Sequence, residues 1–265
     1  MALHPTLAFA RTCRFIPVPP PERIYLATKD EDGFRDAGCQ IAQYLIDQAA
    51  LTPSSRVLDL GCGIGRAALP LTQFLSDGVY DGLDVARDGI LWCQENIASR
   101  YPNFRFHHAD VYNNRYNAAG ATRAEKYRLP FDDDQFDVVF AASLFTHMRP
   151  EEVQNYLKEI ARVLNPSGTF WANWFMVDRG MGETILENAM PGTTGGRIPI
   201  NWADGEGHYF TDAIRSTDAV AFDEDRIEAL YEAAPLRVTQ TIRGSWCGRP
   251  TTETMQDIVI AKPLA

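Results

Sequence analysis

The chain has 265 residues, 45% of them hydrophobic, and a formal net charge of −10. That length and apolar content fill one core without disulfides or metals. The acidic balance repels phosphate backbones, and with no basic patch in the sequence it argues against nucleic-acid binding. Cys13, Cys39, Cys62, Cys93 and Cys247 are odd in number, scattered, and never spaced Cys-x-x-Cys. They argue against a disulfide framework or a zinc site and lead to the expectation of a reducing cytoplasm. No run approaches the roughly twenty apolar residues of a membrane helix, and the start lacks a basic signal-peptide head, so a soluble protein is expected.

In chain order, the first recognisable feature is the proline run from Pro17 to Pro21, followed by Arg23-Ile24-Tyr25. It reads as a stiff linker or as a clamp, with Tyr25 a candidate acceptor-binding residue. Ile41, Tyr44, Leu45 and Ile46 fall at helical spacing. Val57, Leu58 and Leu60 then fit a strand buried in a parallel sheet, which ends at Gly61, Gly63 and Gly65. A helix is expected over Arg66 to Leu75, with Pro70 forcing a kink or a late start. Further strands are expected near 79–84, 104–109, 136–142 and 169–175. Between the last two, Val153, Tyr156, Leu157, Ile160 and Leu164 mark a helix whose first turn holds Glu151 and Glu152. Asp223 is a candidate cap for a helix carrying Ile227, Leu230 and Tyr231. A strand is expected from about Leu236 and a closing strand over Gln256 to Lys262. Two irregular stretches, Tyr112 to Leu129 and Val177 to Ala221, exceed ordinary loop lengths. This alternation predicts a doubly wound, Rossmann-like α/β fold, a seven-stranded mostly parallel sheet with helices on both faces, and one domain over 1–265.

The run from Arg56 to Gly65 points to a nucleotide-like cofactor, because glycines at alternate positions allow a tight turn and close backbone approach. A nicotinamide or flavin fingerprint needs Gly or Ala three residues after its second glycine. Counted from Gly63 that residue is Arg66; counted from Gly65 it is Ala68. Asp84, at the end of Val79 to Asp84, stands where a ribose partner is expected. Neither Tyr127 nor Tyr156 has a lysine four positions on, as a short-chain dehydrogenase would require.

Asp59 through Gly65 has the form acid-x-Gly-x-Gly-x-Gly. In this the chain resembles the class I S-adenosylmethionine-dependent methyltransferases, and Asp84, Asp110-Val111, Pro130 to Phe140 and Leu164 to Gly168 follow in the family's order. The resemblance runs from about Arg56 to Phe175; one departure is Gly89, where relatives often place a bulky side chain. It implies S-adenosyl-L-methionine as cofactor, held by Asp59, Gly61, Cys62, Gly63, Gly65, Asp84, Val85, Asp110, Val111 and Ser143. It further implies methyl transfer by in-line displacement to a small-molecule acceptor, with S-adenosyl-L-homocysteine as product; Asp132-Asp133-Asp134 reads as a solvated turn rather than a metal site, so no metal is expected. Residues 51–175 would form the cofactor core, 1–50 and 177–221 covers over cofactor and acceptor, and 222–265 a closing helix and strands.

His147, which follows the fourth strand at the carboxyl edge where doubly wound sheets bind ligands, is the candidate general base, or else a residue that orients the next helix. It carries the preference for an oxygen acceptor, since an alcohol of high pKa needs a base. His208, Trp174 and Trp246 are acceptor-pocket candidates beside their plainer readings, a solvated loop histidine and two core tryptophans. A nicotinamide oxidoreductase and a noncatalytic cofactor-binding sensor or partner subunit are the alternatives.

Overall fold

The computed structural model describes residues 2–24, 30–179, 200, 202–203, 205–211, 218–251 and 253–264. The chain divides into two compact units, one of Met1–Arg123 with Asp134–Ala142 and one of Ala124–Asp133 with Ser143–Ala265.

The first unit opens with α1 (Pro5–Thr12) and α2 (Glu31–Gln48), which pack against each other. The Asp30 carboxylate accepts from the Gly33 N–H at 2.8 Å and so caps α2, and Glu31 and Asp32 complement its positive end. The buried Arg35 of α2 donates to the Cys13 and Ile16 carbonyls, which fastens the N-terminal segment to the helix. The strand β1 (Arg56–Leu60) is followed by α3 (Ala68–Phe74), β2 (Val79–Asp84), α4 (Arg87–Cys93), β3 (Phe104–His108) and β4 (Phe136–Ala141). All three pairings among these strands are parallel, with Val57 opposite both Tyr80 and Val138. Val57, Leu58 and Leu60 are fully buried, as an uninterrupted apolar run in a parallel strand requires. Removing each such side chain from water contributes about 1.5–3 kcal/mol. Helix α3 begins at Ala68 rather than Arg66. Pro70 thereby falls within the first turn, where a backbone N–H has no intrahelical partner to lose, so the late start replaces the kink.

In the second unit, α5 (Pro150–Val163) buries Val153, Tyr156, Leu157, Ile160 and Val163, the face expected from their spacing. Its Pro150 occupies the first helical position, and the Glu152 carboxylate accepts from the Arg149 N–H at 2.7 Å. The strand β5 (Leu164–Trp174) starts five residues earlier than the sequence suggests. The expected turn survives as a side-chain bond, the Ser167 N–H donating to Asn165 Oδ1 at 2.9 Å, while the backbone stays extended. Next come β6 (Met176–Val177), β7 (Trp202–Ala203), β8 (His208–Phe210), β9 (Val220–Asp223), α6 (Glu224–Glu232), β10 (Leu236–Ile242) and β11 (Asp257–Pro263). Asp223 stands at the start of α6 but does not cap it. Its carboxylate instead accepts from the Tyr209 hydroxyl at 2.9 Å.

The seven-stranded sheet has the order β10-β11-β5-β4-β1-β2-β3, with β11 antiparallel to both of its neighbours. This is the doubly wound fold expected from the alternation of elements. The stretch read as irregular from Val177 to Ala221 contributes to a second, four-stranded sheet, β6-β9-β8-β7. No described helix is long and apolar enough to cross a membrane.

Candidate active site

The turn after β1 hangs from β2, since the Gly61 and Cys62 N–H groups both donate to the Leu83 carbonyl, at 2.8 and 3.2 Å. Gly63 and Gly65 adopt φ of +56° and +79°, which side-chain-bearing residues rarely hold. A Cβ on Gly63 would meet nothing within 4 Å, so one face of the loop is open. A Cβ on Gly65 would stand 2.8 Å from Ile97 Cδ1 and one on Gly89 2.8 Å from the Gly63 carbonyl oxygen. Gly89 is therefore the residue that lets α4 close directly on the glycine loop.

Two carboxylates flank this loop. Asp84 at the end of β2 accepts from the Gly63 N–H through Oδ2 and from the Ala86 N–H through Oδ1, both at 2.7 Å. Burial raises its pKa against those hydrogen bonds, which lower it. The Val85 N–H is a third backbone donor to this carboxylate, which still has acceptor capacity for a ligand hydroxyl. Asp59 is 2% exposed and accepts from the Tyr80 hydroxyl at 2.5 Å through Oδ2, while Oδ1 has no hydrogen-bond partner among the described residues. Burial pushes Asp59 up to about 7, with the Tyr80 hydrogen bond opposing and Asp84 adding to the shift. The Cys62 thiol is buried and raised well above its usual range, chiefly by desolvation, so it packs as a small apolar group rather than reacting.

Val85 follows Asp84, and its carbonyl lies 3.2 Å from His108 Nε2. Asp110 and Val111 follow β3. The Ala121 N–H donates to Asp110 Oδ1 at 3.2 Å and the Thr122 N–H to the Asp110 carbonyl at 3.1 Å. Part of the stretch read as irregular from Tyr112 is thus a closed loop pinned to the same aspartate, its ends joined by a parallel bridge between Val111 and Thr122. Asp59, Gly61, Cys62, Gly63, Gly65, Asp84, Val85, Asp110 and Val111 all belong to the first unit.

The remaining candidates lie in the second unit, except Tyr25, which is outside the described residues. Ser143 has φ of +66°, and its hydroxyl donates to Gln256 Oε1 at 2.7 Å. His147 ends the short helical turn Phe145–His147 and is half-buried. His208 is not on a solvated loop: it is a buried residue of β8, its Nε2 taking a hydrogen bond from Arg226 Nε at 3.1 Å. Trp174 is wholly buried among Phe145, Phe222 and Tyr231, and its indole N–H meets the Tyr231 hydroxyl at 3.3 Å. Trp246 lies beyond the end of β10, buried, and donates to Asp257 Oδ2 at 2.6 Å. As placed, the two tryptophans serve the interior. Among the described residues no group of three His, Cys, Asp or Glu side chains could hold a metal ion.

Sequence reasoning missed Tyr80 and Gln256. Tyr80 carries a faint signal, a hydroxyl in an otherwise buried strand that must find a partner. Gln256 carries none, since its bond to Ser143 spans 113 positions.

Residues 57–168 match a methyltransferase-domain family. The chain is 35% identical over 118 residues to the phthiotriol/phenolphthiotriol dimycocerosates methyltransferase of Mycobacterium tuberculosis, covering 43% of this chain and 36% of that one. It is 33% identical over 117 residues to the fatty-acid O-methyltransferase of Mycolicibacterium smegmatis, covering 43% and 35%. The similarity thus spans about a third of each relative's own length. A solved protein from Pyrococcus horikoshii shares the fold, with a TM-score of 0.58 at 19% identity over 88% of this chain and 92% of that one. Residues 57–168 thus carry a methyltransferase domain, and the seven-stranded sheet and the acid-flanked glycine loop have the form that the resemblance to class I S-adenosylmethionine-dependent methyltransferases implies.

Proposed function

We propose that the chain methylates a small-molecule acceptor, at oxygen, with His147 as the general base. The observation that carries the cofactor side is the buried Asp59, whose Oδ1 lacks a partner among the described residues, beside a glycine loop with one open face. That chemistry fits S-adenosylmethionine: a buried, unpaired carboxylate oxygen suits its ammonium group, and the remaining acceptor capacity of Asp84 suits a ribose hydroxyl. Asp110 and Val111 would hold the adenine edge. Gly61, Cys62, Gly63 and Gly65 would line its aminoacid side, with Val85 completing the cradle.

When bound, S-adenosylmethionine supplies a methyl group already activated on a sulfonium sulfur. The protein has to align the acceptor with the methyl–sulfur axis and exclude water, which can provide most of the rate. For an alcohol, His147 Nδ1 or Nε2 would take the hydroxyl proton as the oxygen–carbon bond forms. The similarity to a fatty-acid O-methyltransferase supports both a small-molecule acceptor and an oxygen atom. The net charge of −10 favours an acceptor other than nucleic acid. In this reading both units work as one methyltransferase domain in the cytoplasm. The acceptor cover expected over 177–221 lies largely outside the described residues, and the cofactor cover is assigned to the N-terminal segment.

An acceptor screen with radiolabelled S-adenosylmethionine, spanning hydroxy, carboxy and amino compounds, tests the assignment. His147→Ala should lower turnover on a hydroxyl acceptor by roughly 10²–10⁴-fold while cofactor affinity is retained. Unchanged turnover would remove His147 from the chemistry, and transfer confined to amines would remove oxygen.

A further inference from the structure

Ser143 is the only serine, and with Ala50 and Asp134 one of the non-glycine residues, found at positive φ among the described residues. A residue with a Cβ holds that conformation when its surroundings impose it. Two side-chain contacts do so here. The Ser143 hydroxyl donates to Gln256 Oε1 at 2.7 Å, and the hydroxyl of the fully buried Thr146 donates to the Ser143 carbonyl at 3.0 Å. The next bond of the same turn runs from the His147 N–H to the Leu144 carbonyl at 3.0 Å. The backbone that presents His147 is therefore continuous with the residue that Gln256 grips.

Gln256 is itself fixed, because the residue after it is anchored from four sides. Asp257 is completely buried and accepts from the Met176 N–H at 2.7 Å, the Gly244 N–H at 2.8 Å, Trp246 Nε1 at 2.6 Å and Arg249 Nη1 at 2.8 Å. Every oxygen of that carboxylate is used, so this stretch cannot slide along β5 without stranding a buried charge. The Gln256 side chain projects from this anchor to Ser143. A contact needed for folding alone would not have to end on the one strained residue at the head of the His147 turn.

We propose that Gln256 is a positioning residue for proton transfer: by accepting from Ser143 it holds the left-handed backbone that sets the turn carrying His147. This rests on the reading of His147 as the base. The clamp acts through backbone geometry, so its loss frees the turn while leaving β5 and β11 paired.

The test uses NMR on the full chain and four proteins: wild type, Gln256→Ala, Ser143→Gly, and the two substitutions together. Amide exchange reports the turn, and the pH titration of the His147 ring, identified by its loss in His147→Ala, reports its setting. Gln256→Ala is expected to speed exchange of the His147 amide about tenfold or more and to shift the ring's titration midpoint, with β5 and β11 amides unchanged. In the Ser143→Gly background, where glycine accepts positive φ without a clamp, Gln256→Ala should change neither quantity. Unchanged exchange and midpoint in Gln256→Ala would overturn the proposal, as would an equal effect in the Ser143→Gly background. Unchanged turnover in His147→Ala would overturn the base reading and the clamp's catalytic purpose, while the exchange data would still decide whether the clamp exists.

Discussion

Replacing Asp59 with asparagine should make the free protein more stable above neutral pH and weaken its hold on S-adenosylmethionine. Burial holds the Asp59 carboxyl at about 7, against 3.8 for an exposed aspartate. The folded state therefore binds this proton more tightly than the unfolded chain does. Its contribution to stability is present in full below the unfolded value and is lost as pH rises from about 4 through about 7. A gap of about three pH units corresponds to about 4 kcal/mol at pH 8. Asparagine can still accept from the Tyr80 hydroxyl and carries no charge, so Asp59→Asn should recover most of that loss. For a domain of this size each kcal/mol moves the melting temperature by about 2–4 °C, giving a rise of roughly 10 °C at pH 8. Thermal melts of both proteins across pH 4 to 8.5 should show the gap opening through that window and levelling above it. Calorimetry in the same buffers should show the variant's affinity for S-adenosylmethionine reduced about 10- to 100-fold at pH 8, the loss of one charge-assisted hydrogen bond. Wild-type affinity should rise with pH toward 7 as the cationic ligand favours ionised Asp59. A melting gap independent of pH, or a variant less stable at pH 8, would show that Asp59 is not held protonated by burial.

Gly89→Ala would push a methyl group to 2.8 Å from the Gly63 carbonyl oxygen. It should cost about 1–3 kcal/mol in urea unfolding and weaken cofactor binding by displacing the loop; wild-type affinity in the variant would show that α4 does not set the loop. Trp246→Phe removes one donor from the buried Asp257 while the Met176 N–H still serves the same oxygen. A loss of about 1.5–3 kcal/mol with an unchanged denaturant slope is expected, and no loss would mean that water replaces the indole.

How much of this was legible in the sequence depended on whether the relevant forces were local. The buried run Val57 to Leu60 and the glycines after it are local statements about one strand and one turn, and both took the form their residues imply. The apolar stripe of α5 was equally local. The small sheet was not, because strands of two to four residues such as Met176–Val177 and His208–Phe210 are too short to display a period. Partnerships across the sheet were also hidden. Asp59 meets Tyr80 only because the parallel register brings β1 and β2 side by side, and Asp223 serves Tyr209 rather than its own helix because β8 pairs with β9. His208 reads as a loop residue in a stretch rich in glycine, yet a short strand buries it against Phe222.

The acid-flanked glycine loop is expected to hold S-adenosylmethionine rather than a dinucleotide. Calorimetric titration of the purified protein with S-adenosylmethionine, S-adenosylhomocysteine and NAD, in separate runs, tests it most directly. Saturable binding of both adenosyl ligands with none of NAD is the expected result, and binding of NAD alone would contradict the account.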